Sequence, residues 1–286
     1  MSKKTFGNIP AKFADKGISK IWLQSIPYDG TSTWGKGADK GFEAFLDAAD
    51  NMELYDIETD SEVYRQGIHL LEELKGFESP KQMFDAVYES TTKLLTEDKF
   101  LTFFGGEHSI SIGIIKAFYE YFDDLTVLQI DAHADQRAAY GSTPYNHACA
   151  VYDAGQNCNL IQVGIRSMDV EEVGNMDNSK TFFAHEMYNK TDWMDNSIEL
   201  MTDNVYITFD LDAFDPSIMP ATGTPEPGGL DWYTTVNYLQ KVFKNKNVVG
   251  FDIVELAPID NFHAPQFLAA KLYYKMLSYK FAKLKK

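Results

Sequence analysis

Six short runs of apolar residues constrain this chain more than any other feature, at positions 20–26, 100–104, 125–130, 160–165, 205–211 and 248–254. They are rich in β-branched and aromatic residues, and they are continuous rather than alternating. A strand covered on one face alternates apolar and polar residues, whereas a strand covered on both does not. Between the runs lie segments with helical spacing, at 80–95, 109–121, 231–243 and 265–284. In the first, Met83, Phe84, Val87, Tyr88, Leu94 and Leu95 fall largely at three- and four-residue intervals. Pro80 suits its first turn, with Ser79 as N-cap. Strand alternating with helix predicts an α/β fold with a mostly parallel sheet and helices on both faces. No internal repeat, low-complexity tract or Pro/Ser-rich linker breaks the pattern, so the chain reads as one domain over 1–286.

In such sheets, ligands sit beyond the carboxyl ends of the strands. Polar clusters stand at four of those ends: Gly105-Gly106-Glu107-His108-Ser109, Asp131-Ala132-His133-Ala134-Asp135, Asp210-Leu211-Asp212 and Asp252-Ile253-Val254-Glu255. In extended backbone, residues i, i+2 and i+4 point the same way. Asp131, His133 and Asp135 are therefore expected to converge, as are Asp210 and Asp212. With His108 they make four carboxylates and two imidazoles. An oxygen-rich set with some nitrogen suits Mn²⁺ better than a structural zinc site, which favours sulfur. Four ionised aspartates are neutralised by two divalent cations, whereas one would leave costly buried charge.

The formal charge of -16, from 42 acidic and 26 basic residues, argues against nucleic acid as a partner and is compatible with drawing in a cationic substrate. No stretch approaches the roughly 18 apolar residues of a membrane helix. The basic start Met1-Ser2-Lys3-Lys4 is followed by no apolar h-region. The expectation is a cytoplasmic protein without a membrane partner. Cys149 and Cys158 form no zinc-type pair and are expected to be free thiols.

The chain resembles the ureohydrolase family of arginases, agmatinases and guanidinobutyrases. The matching motifs are Gly-Gly-Glu-His-Ser at 105–109, Asp-Ala-His-Ala-Asp at 131–135 and Thr-Phe-Asp-Leu-Asp at 208–212. Pro216, Pro220-Ala221 and Gly229 follow at the family's spacings, and Pro27-Tyr28-Asp29-Gly30-Thr31 with Gly37-Ala38 resembles its N-terminal signature. The likeness runs from about residue 25 to 260.

This resemblance implies an arginase-like three-layer α/β/α sandwich and a site with two Mn²⁺ ions. His108, Asp131, Asp135 and Asp210 would hold one ion. Asp131, His133, Asp210 and Asp212 would hold the other, with Asp131 and Asp210 bridging. A hydroxide between the metals would attack the guanidinium carbon. Glu255 matches the guanidinium-binding glutamate, since a carboxylate accepts two parallel bonds from that planar fork. His147 matches the proton-shuttling histidine and also faces the substrate. Asp135 counts among the catalytic residues as well as the ligands. His69, His185 and His263 match no ligand and are expected to be ordinary histidines.

Arginases place an asparagine two positions after the metal aspartate, where this chain has Arg137, in Asp135-Gln136-Arg137. That pattern and Glu107 resemble the agmatinase branch. Arg137 is expected either to line the pocket mouth or to bridge subunits. The implied reaction converts agmatine, a small cationic guanidine, to putrescine and urea, as in polyamine biosynthesis. Guanidinobutyrase, arginase and guanidine hydrolase are alternatives with the same mechanism, and a catalytically silent metal-binding scaffold is a remote one. The family also implies a homo-oligomer, a trimer or hexamer.

Overall fold

The computed structural model describes residues 4–282. Among these residues eight strands, β1 (Ile21–Ile26), β2 (Ile68–Leu70), β3 (Phe100–Gly105), β4 (Leu125–Ile130), β5 (Asn159–Ile165), β6 (Thr181–Phe183), β7 (Asn204–Asp210) and β8 (Asn247–Val254), form one sheet. Its order is β2-β1-β3-β8-β7-β4-β5-β6, and every pairing is parallel. The helices are α1 (Gly41–Ala49), α2 (Pro80–Leu94), α3 (Ile110–Tyr121), α4 (Tyr152–Asn157), α5 (Ala184–Met187), α6 (Asp192–Glu199), α7 (Trp232–Asn245) and α8 (Ala264–Phe281).

The apolar runs are continuous because both faces of the sheet are covered. Ile21, Leu23 and Phe104 pack with α1, α6, α7 and α8, while Trp22, Leu101 and Phe103 pack with α2, α3 and α4. Every residue of β1, β3 and β4 is buried. Each large aliphatic or aromatic side chain removed from water this way contributes about 1.5–3 kcal/mol. The result is the expected three-layer α/β/α sandwich. Helix starts follow local chemistry. Ser79 caps α2 by accepting from the Gln82 N–H, with Pro80 in the first turn, and Asp231 caps α7 by accepting from the Thr234 N–H.

The structure differs from the sequence reading at the edges. β2 and β6 are three-residue strands, too short to show a period, and α1, α4, α5 and α6 were not anticipated. The run 205–211 stops at Asp210 because Leu211–Ala213 turns into a 3-10 helix. The C-terminal helix is described as far as Phe281; its expected end at Leu284, like Met1 to Lys3 of the basic start, lies outside the described residues.

This topology positions the site. The chain runs outward to β6 and then returns to insert β7 and β8 between β3 and β4. The four central strands β3, β8, β7 and β4 therefore bring four loops, distant in sequence, to one carboxyl-terminal edge.

Candidate active site

His108 is delivered by a close backbone crossing. The Gly106 N–H donates to the Ile26 carbonyl and the Glu107 N–H to the Tyr28 carbonyl, both at 2.8 Å. A Cβ on Gly106 would fall 2.0 Å from the Tyr28 carbonyl oxygen, so only glycine fits there. His108 then sits buried just before α3, facing the ends of β4 and β7.

Asp131, His133 and Asp135 do converge, but not by strand alternation. β4 ends at Ile130, and Asp135 turns inward through a left-handed backbone with φ 51°. Asp212 likewise lies on the 3-10 turn after β7, where its N–H donates to Asp210 Oδ1 at 2.8 Å. The extended geometry read from the sequence is corrected here: the strands end first, and tight turns aim the side chains. Strained backbone of this kind gathers at functional sites, and Glu255 shares it with φ 68°.

Five of the six residues form two overlapping groups that share Asp131: His108, Asp131 and Asp135, and Asp131, His133 and Asp212. His108 Nδ1 lies 3.1 Å from Asp131, 3.2 Å from Asp135 and 3.2 Å from Asp210, measured to each Oδ2. It makes no well-formed hydrogen bond to any partner among the described residues. A point equidistant from three carboxylates suits a cation better than one directional proton. On the other side His133 Nδ1 lies 2.9 Å from Asp212 Oδ2.

The crowding has an electrostatic signature. Burial, then the charges of Asp212 and Asp131, push Asp210 well above the usual carboxylate range. Burial lifts Asp135 to about 7, against the pull of His108. Burial depresses His133, yet Asp212 and Asp131 outweigh it and raise the ring to about 11. Asp212 itself falls to about 2, because His133 overcomes its burial. Positive charge is in demand here, and divalent cations supply it without occupying a nitrogen lone pair with a proton. The donor set fits such ions.

Around this cluster lies a cavity of about 240 Å³ lined by Thr33, Arg137, Tyr140, His147, Asp169 and Glu255, among others. Glu255 Oε1 accepts from the His108 N–H at 2.8 Å. Burial, Glu107 and Asp212 hold its carboxyl well above the ordinary range. The Oγ1 of Thr31 donates to Glu107 Oε1 at 2.9 Å and lies 3.1 Å from His147 Nδ1. That hydroxyl has one proton, so we assign Nδ1 as a donor, which leaves Nε2 as the unprotonated nitrogen. Burial, then the positive charges of His108 and His133, lower His147 to about 4, so its ring is neutral at pH 7.

Arg137 lines the pocket, and its charge is matched within the chain. It faces Asp169 and Glu171 at 3.4 Å and Glu172 at 3.6 Å, with Tyr140 against its guanidinium at 4.5 Å. The sequence reading gave no role to Thr31, Thr208, Asp252 or Arg166. Arg166 donates to the carbonyls of Asp212 at 2.6 Å and Glu226 at 2.9 Å, pinning the loop that carries Asp212. Asp252 sits one strand over from Thr208 and carries the signal of a carboxylate inside an apolar run.

The other histidines lie elsewhere. His69 is buried with Nδ1 2.7 Å from the Ala14 carbonyl, His185 packs on Phe183, and His263 meets Gln266. Both cysteines are free, and burial pushes each thiol up to about 12. A larger, mostly apolar groove of about 950 Å³ along α7 and α8 holds none of the site residues. Among the described residues no helix is long and apolar enough to cross a membrane.

An all-parallel sheet in this order, with a buried His/Asp cluster at its central carboxyl ends, defines an α/β protein with a candidate metal centre at its strand ends. The sequence model of the Arginase family matches residues 19–278, and the chain belongs to that family. It is 36% identical over 280 residues to the N(1)-aminopropylagmatine ureohydrolase of Synechocystis sp., covering 93% of this chain and 90% of that one. It is 33% identical over 279 residues to the N(1)-aminopropylagmatine ureohydrolase of Thermus thermophilus, covering 96% and 94%. The crystal structure of agmatine ureohydrolase of Thermoplasma volcanium superposes with a TM-score of 0.86 at 29% identity, covering 98% of this chain and 95% of that chain.

Proposed function

We propose that this ureohydrolase hydrolyses agmatine to putrescine and urea, with two Mn²⁺ held by His108, Asp131, Asp135, Asp210, His133 and Asp212 as the sequence reading assigned them. When bound, such ions act as Lewis acids and lower the pKa of water, supplying a nucleophile at neutral pH. Glu255 seats the guanidinium: its Oε1 is fixed by the His108 N–H, and the carboxylate lines the pocket beside the cluster. This placement is the observation that carries the reading. Asp135 contributes its negative charge beside the reacting centre. His147 is neutral at pH 7 and has an unprotonated Nε2, so it accepts a proton and passes it to the leaving amine.

The far end of the pocket supports a cationic tail. Asp169, Glu171 and Glu172 outnumber Arg137 there, so a carboxylate tail, as in arginine or 4-guanidinobutyrate, meets surplus negative charge. A second reading, N(1)-aminopropylagmatine as substrate, is favoured by the names of the relatives at 36% and 33% identity. Both substrates carry the cationic tail this rim suits.

The same reading takes the chain as one domain over 1–286, since a single sheet gathers all eight strands. It places the protein in the cytoplasm and in polyamine biosynthesis, without a nucleic-acid partner and assembled as a trimer or hexamer. Light scattering on the purified protein tests the assembly.

Urea release from manganese-loaded protein tests the function, with agmatine, N(1)-aminopropylagmatine, arginine, 4-guanidinobutyrate and guanidine assayed in parallel. Fastest turnover of agmatine upholds the proposal, and fastest turnover of the aminopropyl compound selects the second reading. A carboxylate-tailed winner defeats the rim argument. No urea from any of them, with any divalent metal, returns the silent scaffold.

A further inference from the structure

Asp252 is fully buried, lies on β8 and is absent from the cavity lining, yet both its oxygens are used. Oδ1 accepts from Thr208 Oγ1 at 2.7 Å and Oδ2 accepts from the Tyr206 hydroxyl at 2.7 Å. The two donors stand two residues apart on β7, where Thr208 pairs in register with Asp252. Thr208 Oγ1 in turn lies 2.8 Å from His108 Nε2. A carboxylate buried beneath α3 is costly, and apolar residues of similar volume stabilise such positions at least as well. Stability alone therefore gives no reason for this chain of bonds.

Its direction gives one. An ionised carboxylate only accepts, so Thr208 donates its single proton to Asp252. The Thr208 oxygen then accepts from His108, which fixes the proton on Nε2. The lone pair of the neutral ring is left on Nδ1, the atom that faces Asp131, Asp135 and Asp210. His133 has no such support. Its ring is partly exposed, its Nδ1 faces Asp212, and among the described residues its Nε2 reaches only Glu226, at 4.0 Å.

We propose that Asp252, acting through Thr208, is a positioning residue that sets the tautomer and orientation of His108 and so governs cation affinity on the His108 side of the cluster alone. This rests on the two-cation reading above. Metal-bound histidines generally depend on such partners, and losing one costs roughly 10–100-fold in affinity.

The test titrates Mn²⁺ alone into metal-stripped full-length protein, following stoichiometry and affinity by calorimetry and the coupled-pair signal by electron paramagnetic resonance. Wild type is expected to bind two ions. Thr208→Val, which keeps the shape and removes the hydroxyl, should weaken one ion roughly 10–100-fold, leave the other unchanged and lose the coupled signal at limiting metal. Thr208→Ser restores the hydroxyl and should restore the second ion. Asp252→Ala should match Thr208→Val; if it does not fold, the Val and Ser pair decides alone. Two ions bound by Thr208→Val with wild-type affinity, or both ions weakened equally, overturns the proposal. Fewer than two ions on the wild type instead defeats the two-cation reading, which keeps the two failures apart.

Discussion

Thr31 and His147 are joined twice through one oxygen: Thr31 Oγ1 accepts from the His147 backbone N–H at 3.0 Å and lies 3.1 Å from the ring Nδ1. The hydroxyl proton is committed to Glu107, so the pair holds both the position of the ring and its tautomer. A residue in the N-terminal signature thereby holds the histidine proposed as proton carrier, more than a hundred positions later.

Thr31→Val should therefore lower kcat roughly 10–100-fold, as loss of an orienting partner does, while KM and manganese content stay near wild type. Steady-state kinetics beside metal analysis checks this. Loss of metal in that variant would reassign Thr31 to the metal cluster.

His147 also predicts an acid sensitivity. Its folded value of about 4 lies below the ordinary 6.5, so between those values the unfolded chain binds the extra proton. Stability then rises with pH across that window, and the penalty is complete below pH 4 and absent above 6.5. His147→Asn should remove up to about 3 kcal/mol of that dependence. Urea denaturation of both proteins at pH 6.5 and 4.5 measures it, and parallel losses would refute it.

Glu255→Gln should keep the cations and lower kcat/KM roughly 10–100-fold, since a charged hydrogen-bond partner becomes a neutral one. Asp131→Asn should abolish metal binding and turnover together, because Asp131 belongs to both groups of the cluster. Inductively coupled plasma analysis beside urea assays separates the two variants; unchanged turnover in Glu255→Gln would remove its assigned role.

Gly164 has φ 96°, and a Cβ there would lie 2.9 Å from the Asp131 carbonyl oxygen. Gly164→Ala should destabilise the fold by about 1–3 kcal/mol and displace Asp131, weakening metal binding as well. Thermal unfolding and Mn²⁺ titration report the two effects; a variant that melts like wild type would show that β5 yields freely at this bulge.

The central strands and their polar ends were legible because burial on both faces leaves uninterrupted apolar runs that stop where the chemistry begins. The six clustered residues followed from those ends, although the local reason differed: Asp135 and Asp212 are aimed by turns that an i, i+2 rule does not describe. The edge strands β2 and β6 stayed hidden because three residues carry no period. Thr208 and Asp252 stayed hidden for another reason. Each looks like one polar residue in a buried strand, and their link appears only when β7 and β8 lie side by side.

The strand order also dictates when the His/Asp cluster can first exist during synthesis. His108 and Asp131 belong to the ends of β3 and β4, which are made early but stand three strand spacings apart, about 14 Å. The gap is filled only by β7 and β8, the last strands to leave the ribosome. A nascent chain that stops before residue 204 lacks Asp210, Asp212 and Glu255 and also lacks the wedge that sets the spacing of the rest. On the two-cation proposal, metal loading therefore follows the closing of the sheet, and manganese would seal a finished sheet rather than template its assembly.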